Sequence, residues 1–100
     1  MTTTAEAVLN TRSIDRVTSL RTILKLAGRE NSRMVAATIG GHLQAISIEA
    51  PRRPAVDDAA AAVRDASLGF LTSLHGCGDV AEARSQVLRS VDRLEQCLVI

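Results

Sequence analysis

Apolar residues recur at helical spacing along most of the chain, and the first regular stripe begins shortly after residue 12. Its members are Val17, Leu20, Ile23, Leu24 and Ala27. Ser13 precedes the stripe and is a favourable N-cap residue, whereas Gly28 follows it at a position typical of helix ends. The pattern predicts a first helix that starts at Ser13, and it leaves the Thr-rich residues 1–12 as a flexible N-terminal segment.

A second helix is predicted to follow an N-cap at Asn31 or Ser32. Its apolar positions recur every three or four residues, at Val35, Ile39, Leu43 and Ile46. Gly40 and Gly41 interrupt this pattern, and each glycine costs a helix about 1 kcal/mol relative to alanine. The pair is expected either to break the helix or to let another backbone approach it closely. Residues 44–48 also alternate as a short strand would, so the helix after Gly40 is uncertain.

Two longer helices are predicted in the second half of the chain. The third covers about residues 55–75 and ends at the Gly76-Cys77-Gly78 turn. The fourth starts at Asp79, which with Glu82 resembles a capping box. The apolar stripe of the third helix comprises Val56, Ala59, Ala60, Val63, Ala66, Phe70, Leu71 and Leu74. The fourth helix has a narrower seam of alternating three- and four-residue spacing, which comprises Val80, Arg84, Val87, Val91, Leu94 and Leu98.

The short connection between the third and fourth helices predicts an antiparallel helical hairpin. The first two helices can form a second hairpin over its open face. The fold class is therefore expected to be all-α, a four-helix up-down bundle of two αα-hairpins, with residues 13–100 as a single domain. The composition, 46% hydrophobic and 23% charged, is that of an ordinary globular domain.

The seam of the fourth helix has the spacing of a coiled coil, which indicates a contact surface. We expect Val87, Val91, Leu94 and Leu98 to bind a partner protein or a second copy of the chain. Three leucines outside the predicted stripes point to further unused apolar surface: Leu26, Leu68 and Leu88. The structural expectation is a homodimer.

Composition argues against several classes of function. Phe70 is the sole aromatic residue, so stacking platforms for single-stranded nucleic acid are excluded. The net charge of +1 disfavours a general nucleic-acid binder. No apolar run is long enough for a membrane span, and residues 1–6 lack the features of a secretion signal, which predicts a cytoplasmic protein with reduced cysteines. Arginine outnumbers lysine by 11 to one, a bias that suggests a bacterial source.

A basic segment, residues 12–33, supports an alternative function as a dimeric helical DNA-binding regulator. Its positive side chains are Arg12, Arg16, Arg21, Lys25, Arg29 and Arg33. On a helical wheel Arg12 and Arg16 lie far from Arg21, as expected for the solvated edges of an ordinary amphipathic helix. The second helix, which would enter the groove, offers few side chains that read base edges.

The turn between the third and fourth helices carries the most site-like residues. Cys77 lies just before a helix N-terminus, which lowers the pKa of a thiol, and His75 could act as a base. A thiol-dependent activity is thus a second alternative, although neither an orienting group nor an oxyanion hole is evident. His42, His75, Cys77 and Cys97 lack the paired spacing of a zinc site, so no metal and no cofactor are expected. Residues 97–100 have the C-a-a-X form of a prenylation site, but Leu98 equally completes the seam.

These patterns together predict a small non-enzymatic helical protein that acts by protein–protein contact. It would serve as a regulatory adaptor, an anti-factor or a chaperone-like partner of a larger protein. Recognition would use apolar residues at helical spacing, with charged edges setting the orientation.

Overall fold

The computed structural model describes residues 4–50, 53–76 and 78–99, with side chains from residue 12 onwards. Within these ranges the chain forms four helices and no strand. They are α1 (Thr4–Leu26), α2 (Ser32–Glu49), α3 (Pro54–Leu74) and α4 (Val80–Leu98). The predicted all-α class is confirmed.

The start of α1 was predicted wrongly. The helix begins at Thr4, so it takes in most of the segment assigned to a flexible N-terminus, while residues 1–3 lie outside the described part of the chain. Ser13 is an interior residue of α1 with a fully buried side chain, and it caps nothing. Among the described residues, its hydroxyl oxygen has no hydrogen-bond partner.

Helix α2 runs without a break through Gly40 and Gly41, so both the predicted interruption and the alternative strand over residues 44–48 are wrong. Within the chain, no other backbone approaches these glycines closely, because a Cβ atom added at either of them would meet no atom within 4 Å. The four predicted stripe positions are buried: Val35, Ile39, Leu43 and Ile46. Burial of this stripe outweighs the low helix propensity of the two glycines.

The boundaries of α3 and α4 follow from residues with specific backbone roles. Pro54 opens α3, where its missing N–H group has no intrahelical partner to lose. Asp79 caps α4 by accepting a hydrogen bond from the backbone N–H of Glu82, at 3.2 Å. Between these helices Gly76 and Gly78 have φ angles of 97° and 106°, a conformation that other residues rarely adopt. The predicted cap and turn are therefore confirmed.

The helices pack as a ring in chain order. Helix α1 packs against α2 and α4, and α3 packs against α2 and α4, with the most extensive contact between α3 and α4. The bundle measures 49 × 21 × 16 Å. Its core contains inward-facing residues of all four helices. The largest fully buried side chains are those of Phe70, Leu20, Leu24, Leu43, Ile46, Leu94 and Leu98.

Three hydrogen bonds between side chains and distant parts of the chain join the helix ends. At one end of the bundle, Arg84 donates to the backbone carbonyl of Ala27 at 2.8 Å. At the opposite end, Arg53 donates to the carbonyl of Cys97 at 3.0 Å. Both carbonyls lie at or just after the C-terminus of a helix, where backbone acceptors lack intrahelical partners. The third is the bond between Ser32 and His75 described below.

Candidate functional site

The seam of α4 lies inside the bundle. Val87, Val91, Leu94 and Leu98 each have no exposed surface and belong to the hydrophobic core. The α4 seam therefore holds the protein's own helices together and does not present the predicted partner-binding face. Its coiled-coil spacing is satisfied by α1 and α3, the helices against which α4 packs.

Arg84 interrupts this seam for an identifiable reason. Its guanidinium carbon lies 5.2 Å from the centre of the Phe70 ring, a cation–π geometry, and the same group binds the Ala27 carbonyl. The guanidinium group thus makes both of its contacts at the edge of the core, while the aliphatic part of the side chain continues the apolar stripe.

Of the six basic residues considered for nucleic-acid contact, two pair with carboxylates on different neighbouring helices. Arg16 binds Glu49 of α2 through two hydrogen bonds, of 3.2 and 3.1 Å. Arg21 faces α4 instead and binds Asp92 and Glu95. The other four are exposed: Arg12, Lys25, Arg29 and Arg33.

The predicted thiol site falls partly outside the described residues, because Cys77 is among those not described. His75 is exposed, and its Nε2 atom lies 3.1 Å from the hydroxyl oxygen of Ser32 at the start of α2. For Ser32 to act as a nucleophile with His75 as its base, a further group would have to orient the histidine. No described side chain forms a hydrogen bond with His75 Nδ1. Cys97 is a half-buried free cysteine, and the described residues contain no cluster of three potential metal ligands.

A polar groove of about 370 Å³ lies between α1 and α2. The Arg16–Glu49 pair lines it together with His42, Arg12, Asp15 and Ser19. Arg16 Nη1 is 3.4 Å from His42 Nδ1, and because arginine can only donate, this ring nitrogen accepts. Burial and the neighbouring Arg16 charge both lower the pKa of His42, which favours the neutral ring. The two positive charges in this groove, on Arg12 and Arg16, are balanced by the two negative charges on Asp15 and Glu49.

This arrangement predicts that acid weakens the fold. Because the pKa of His42 is lowered in the folded state, the unfolded chain takes up the proton first. The free energy of unfolding therefore falls progressively as the pH drops below the unfolded-state pKa of about 6.5 toward the lower folded-state pKa. The hydrogen bonds from Arg16 lower the pKa of Glu49 against the opposing effect of burial. The stability that Glu49 contributes is therefore lost at a lower pH than that of His42. We expect a lower urea midpoint at about pH 5.5 than at about pH 7.5, and a smaller difference in His42→Gln. An undiminished difference in this variant would contradict the assignment to His42.

Helix α2 carries an uncharged solvent-facing surface, which we call the α2 face. It consists of Met34, Ala37, Gly41, Ala45 and Ile48, which fall within an arc of about 80° at 100° per residue. All of these residues are exposed except Ala45, which is half-buried. Met34 is 60% exposed and Ile48 is 76% exposed. No Asp, Glu, Lys or Arg occurs from Met34 to Ile48, although surface helices ordinarily direct charged residues to solvent. The flanking exposed residues are uncharged as well: Ala36, Gly40, Gln44 and Ser47.

Apolar grooves lie on both sides of the α2 face. The groove toward α1 has a volume of about 460 Å³ and includes Leu26, which is 72% exposed. The groove toward α3 is smaller, about 170 Å³, and includes Leu68, which is 61% exposed, together with one charged residue, Arg64. The prediction that Leu26 and Leu68 lie outside the core is confirmed, whereas Leu88 is half-buried against it.

Threonine hydroxyls along the α1 groove are already hydrogen-bonded within their own helices. Thr18 donates to the carbonyl of Ile14 at 3.1 Å, and Thr22 donates to that of Thr18 at 3.1 Å. Across the groove, Thr38 donates to the carbonyl of Met34 at 2.8 Å. Because each donor is satisfied, a partner can cover this surface without leaving a hydroxyl proton unpaired.

The sequence signal for this surface is the absence of charge over residues 34–48, which hydrophobic periodicity does not detect.

Comparisons of the chain with protein-family models, with curated proteins and with solved structures found no match. Within the part of the chain that the structure describes, no helix is both long and apolar enough to cross a membrane.

Proposed function

We propose that this protein is a small non-enzymatic helical protein that acts by protein–protein contact, as a regulatory adaptor, an anti-factor or a chaperone-like partner. The observation that carries the proposal is the uncharged α2 face with its two exposed apolar ends, Met34 and Ile48. Contiguous apolar surface of this kind marks interaction sites on soluble proteins. The contact surface is thereby assigned to α2 rather than to α4.

The grooves beside α2 support this proposal, since they continue the apolar surface to Leu26 on one side and Leu68 on the other. A partner helix lying along α2 would cover Met34 and Ile48 and would displace water from at least one groove. The energy would come from apolar burial, at about 25 cal/mol per Å² before the costs of association.

Site-specific photo-crosslinking in the native host tests the proposal. A photoreactive residue at position 37, on the α2 face, is expected to give discrete protein adducts at native expression levels. The same residue at position 61, an exposed alanine of α3, is the matched control and should give none. The adducts should disappear when Met34→Glu and Ile48→Glu are added, because both charges would have to be buried. The proposal fails if positions 37 and 61 give the same adducts, or if position 37 gives none.

A further inference from the structure

We propose that the α2 face binds the α2 face of a second copy of this chain, with the two helices antiparallel about a two-fold axis at Gly41. The inference rests on the proposed contact function and names its partner. It replaces the predicted dimer through the α4 seam, whose residues are buried within one chain.

Charge is the first argument for a second copy. A two-fold interface places the same patch on both subunits, so any charged residue near the axis meets its own copy. On α2 itself there is no such residue from Met34 to Ile48, and the lowered pKa of the nearby His42 favours its neutral form. Arg64 of α3 lines the groove beside Gly40 and Leu43, at the edge of the α2 face. The residues of two α2 faces can therefore meet without like-charge repulsion between them, whereas a strongly charged partner would find no countercharge on α2 from Met34 to Ile48.

The order of side-chain sizes is the second argument. Met34 and Ile48 are equally distant from Gly41, and so are Ala37 and Ala45. In an antiparallel pair centred on Gly41, Met34 lies level with Ile48 of the other copy, and Ala37 lies level with its Ala45. Small residues occupy the middle and large ones the ends, so the two backbones can approach to the short end of the usual 8–10 Å range.

Two further features agree with this geometry. The space outside Gly41 is open, since no atom lies within 4 Å of the position that a Cβ would take. Antiparallel helices also place the positive end of one helix dipole beside the negative end of the other, which a parallel pair does not. No side chain of the same subunit therefore occupies the crossing point, and the helix dipoles favour the antiparallel order.

The small size of the surface favours weak self-association. Residues 34–48 form a face about 22 Å long, at 1.5 Å per residue. At a helix width of about 10 Å, this face covers about 220 Å². It is therefore smaller than a standard interface of about 800 Å² per partner, even when Leu26 and Leu68 widen it. We therefore expect a dissociation constant in the micromolar range, which must be measured over a wide range of protein concentration.

Sedimentation equilibrium of the purified full chain tests the dimer. Wild-type protein is expected to pass from monomer to dimer with concentration, and Gly41→Glu to raise the dissociation constant at least about tenfold by placing two carboxylates at the axis. The variant should still fold, because glutamate favours a helix more than glycine does. Gly69→Glu is the matched control: Gly69 is an exposed interior glycine of α3, also with open space around it, and its variant should dimerise as wild type.

Crosslinking of cysteine variants tests the orientation in a Cys77→Ser, Cys97→Ser background. A Met34→Cys chain mixed with an Ile48→Cys chain should form an intermolecular disulfide. Met34→Cys alone should not, because its two copies would lie about 21 Å apart. The inference is overturned by a wild-type monomer at about 1 mM, by undiminished dimerisation of Gly41→Glu, or by self-crosslinking of Met34→Cys. Such a result, with position 37 still crosslinking to a different protein, would leave the proposed function standing.

Discussion

Val91→Asp is expected to unfold the protein rather than to weaken a contact with a partner. Val91 has no exposed surface and lies in the middle of the α4 seam. A carboxylate there would lose its hydration without gaining a charged or hydrogen-bonding partner. Substitutions of this kind cost more than about 4 kcal/mol, a large part of the 5–15 kcal/mol that stabilises a typical domain. Far-UV circular dichroism and thermal melting of the purified variant measure the effect.

Arg89→Asp provides the control for this experiment. Arg89 is an exposed residue of the same helix, so the new carboxylate remains in water and helical content should be unchanged. If Val91→Asp instead kept the helical content and melting temperature of wild type, the α4 seam would have to be a solvent-facing surface. The earlier hypothesis of a partner face at Val87, Val91, Leu94 and Leu98 would then be restored.

Phe70→Ala is expected to lower the free energy of unfolding by about 3–5 kcal/mol. Phe70 is fully buried and is the chain's only aromatic residue. Its removal leaves a cavity in a core that is otherwise built of smaller aliphatic side chains, and it removes the ring beneath the Arg84 guanidinium. Urea unfolding should show a lower midpoint with an unchanged slope, since the surface exposed on unfolding hardly alters.

A double-mutant cycle separates the cavity from the cation–π contact. Phe70→Leu keeps most of the buried volume, and Arg84→Met keeps the aliphatic stem but loses the charge. The two substitutions together should cost about 0.5–1 kcal/mol less than the sum of the single effects, because each alone already removes the interaction. A Phe70→Ala variant that loses less than about 1 kcal/mol would contradict the placement of this ring in the core.

Helix positions could be read from the sequence wherever a stripe and a specific boundary residue coincide. Asp79 and the glycines around Cys77 predicted the end of α3 and the start of α4, because each has a backbone role that few other residues perform. Helix α3 begins at Pro54, one residue before the predicted position. The start of α1 lacked such a marker. Ser13 has the chemistry of an N-cap, but a serine is also tolerated inside a helix, and the Thr-rich segment before it shows no regular apolar stripe.

The candidate contact surface could not be found from periodicity, for a physical reason. A stripe such as Val87, Val91 and Leu94 shows that one side of a helix avoids water, but it contains no information on whether the covering helix belongs to the same chain. The exposed fraction of each side chain in the structure answers this question. The seam residues of α4 are buried inside the bundle, whereas Met34 and Ile48 lie on its surface. The interaction of Arg16 with His42 and Glu49 was equally beyond the sequence, since it joins residues far apart in the chain.

The extensive packing of α3 against α4 has a consequence for how the chain folds. These helices are neighbours in sequence, joined by a short turn that two glycines shape, so their contacts form with little loss of chain entropy. Closing α1 against α4 instead requires contacts between distant parts of the chain, such as those of Arg21 with Asp92. The hairpin of α3 and α4 should therefore form early and provide the surface onto which α1 and α2 dock, as contact-order arguments favour for local pairs.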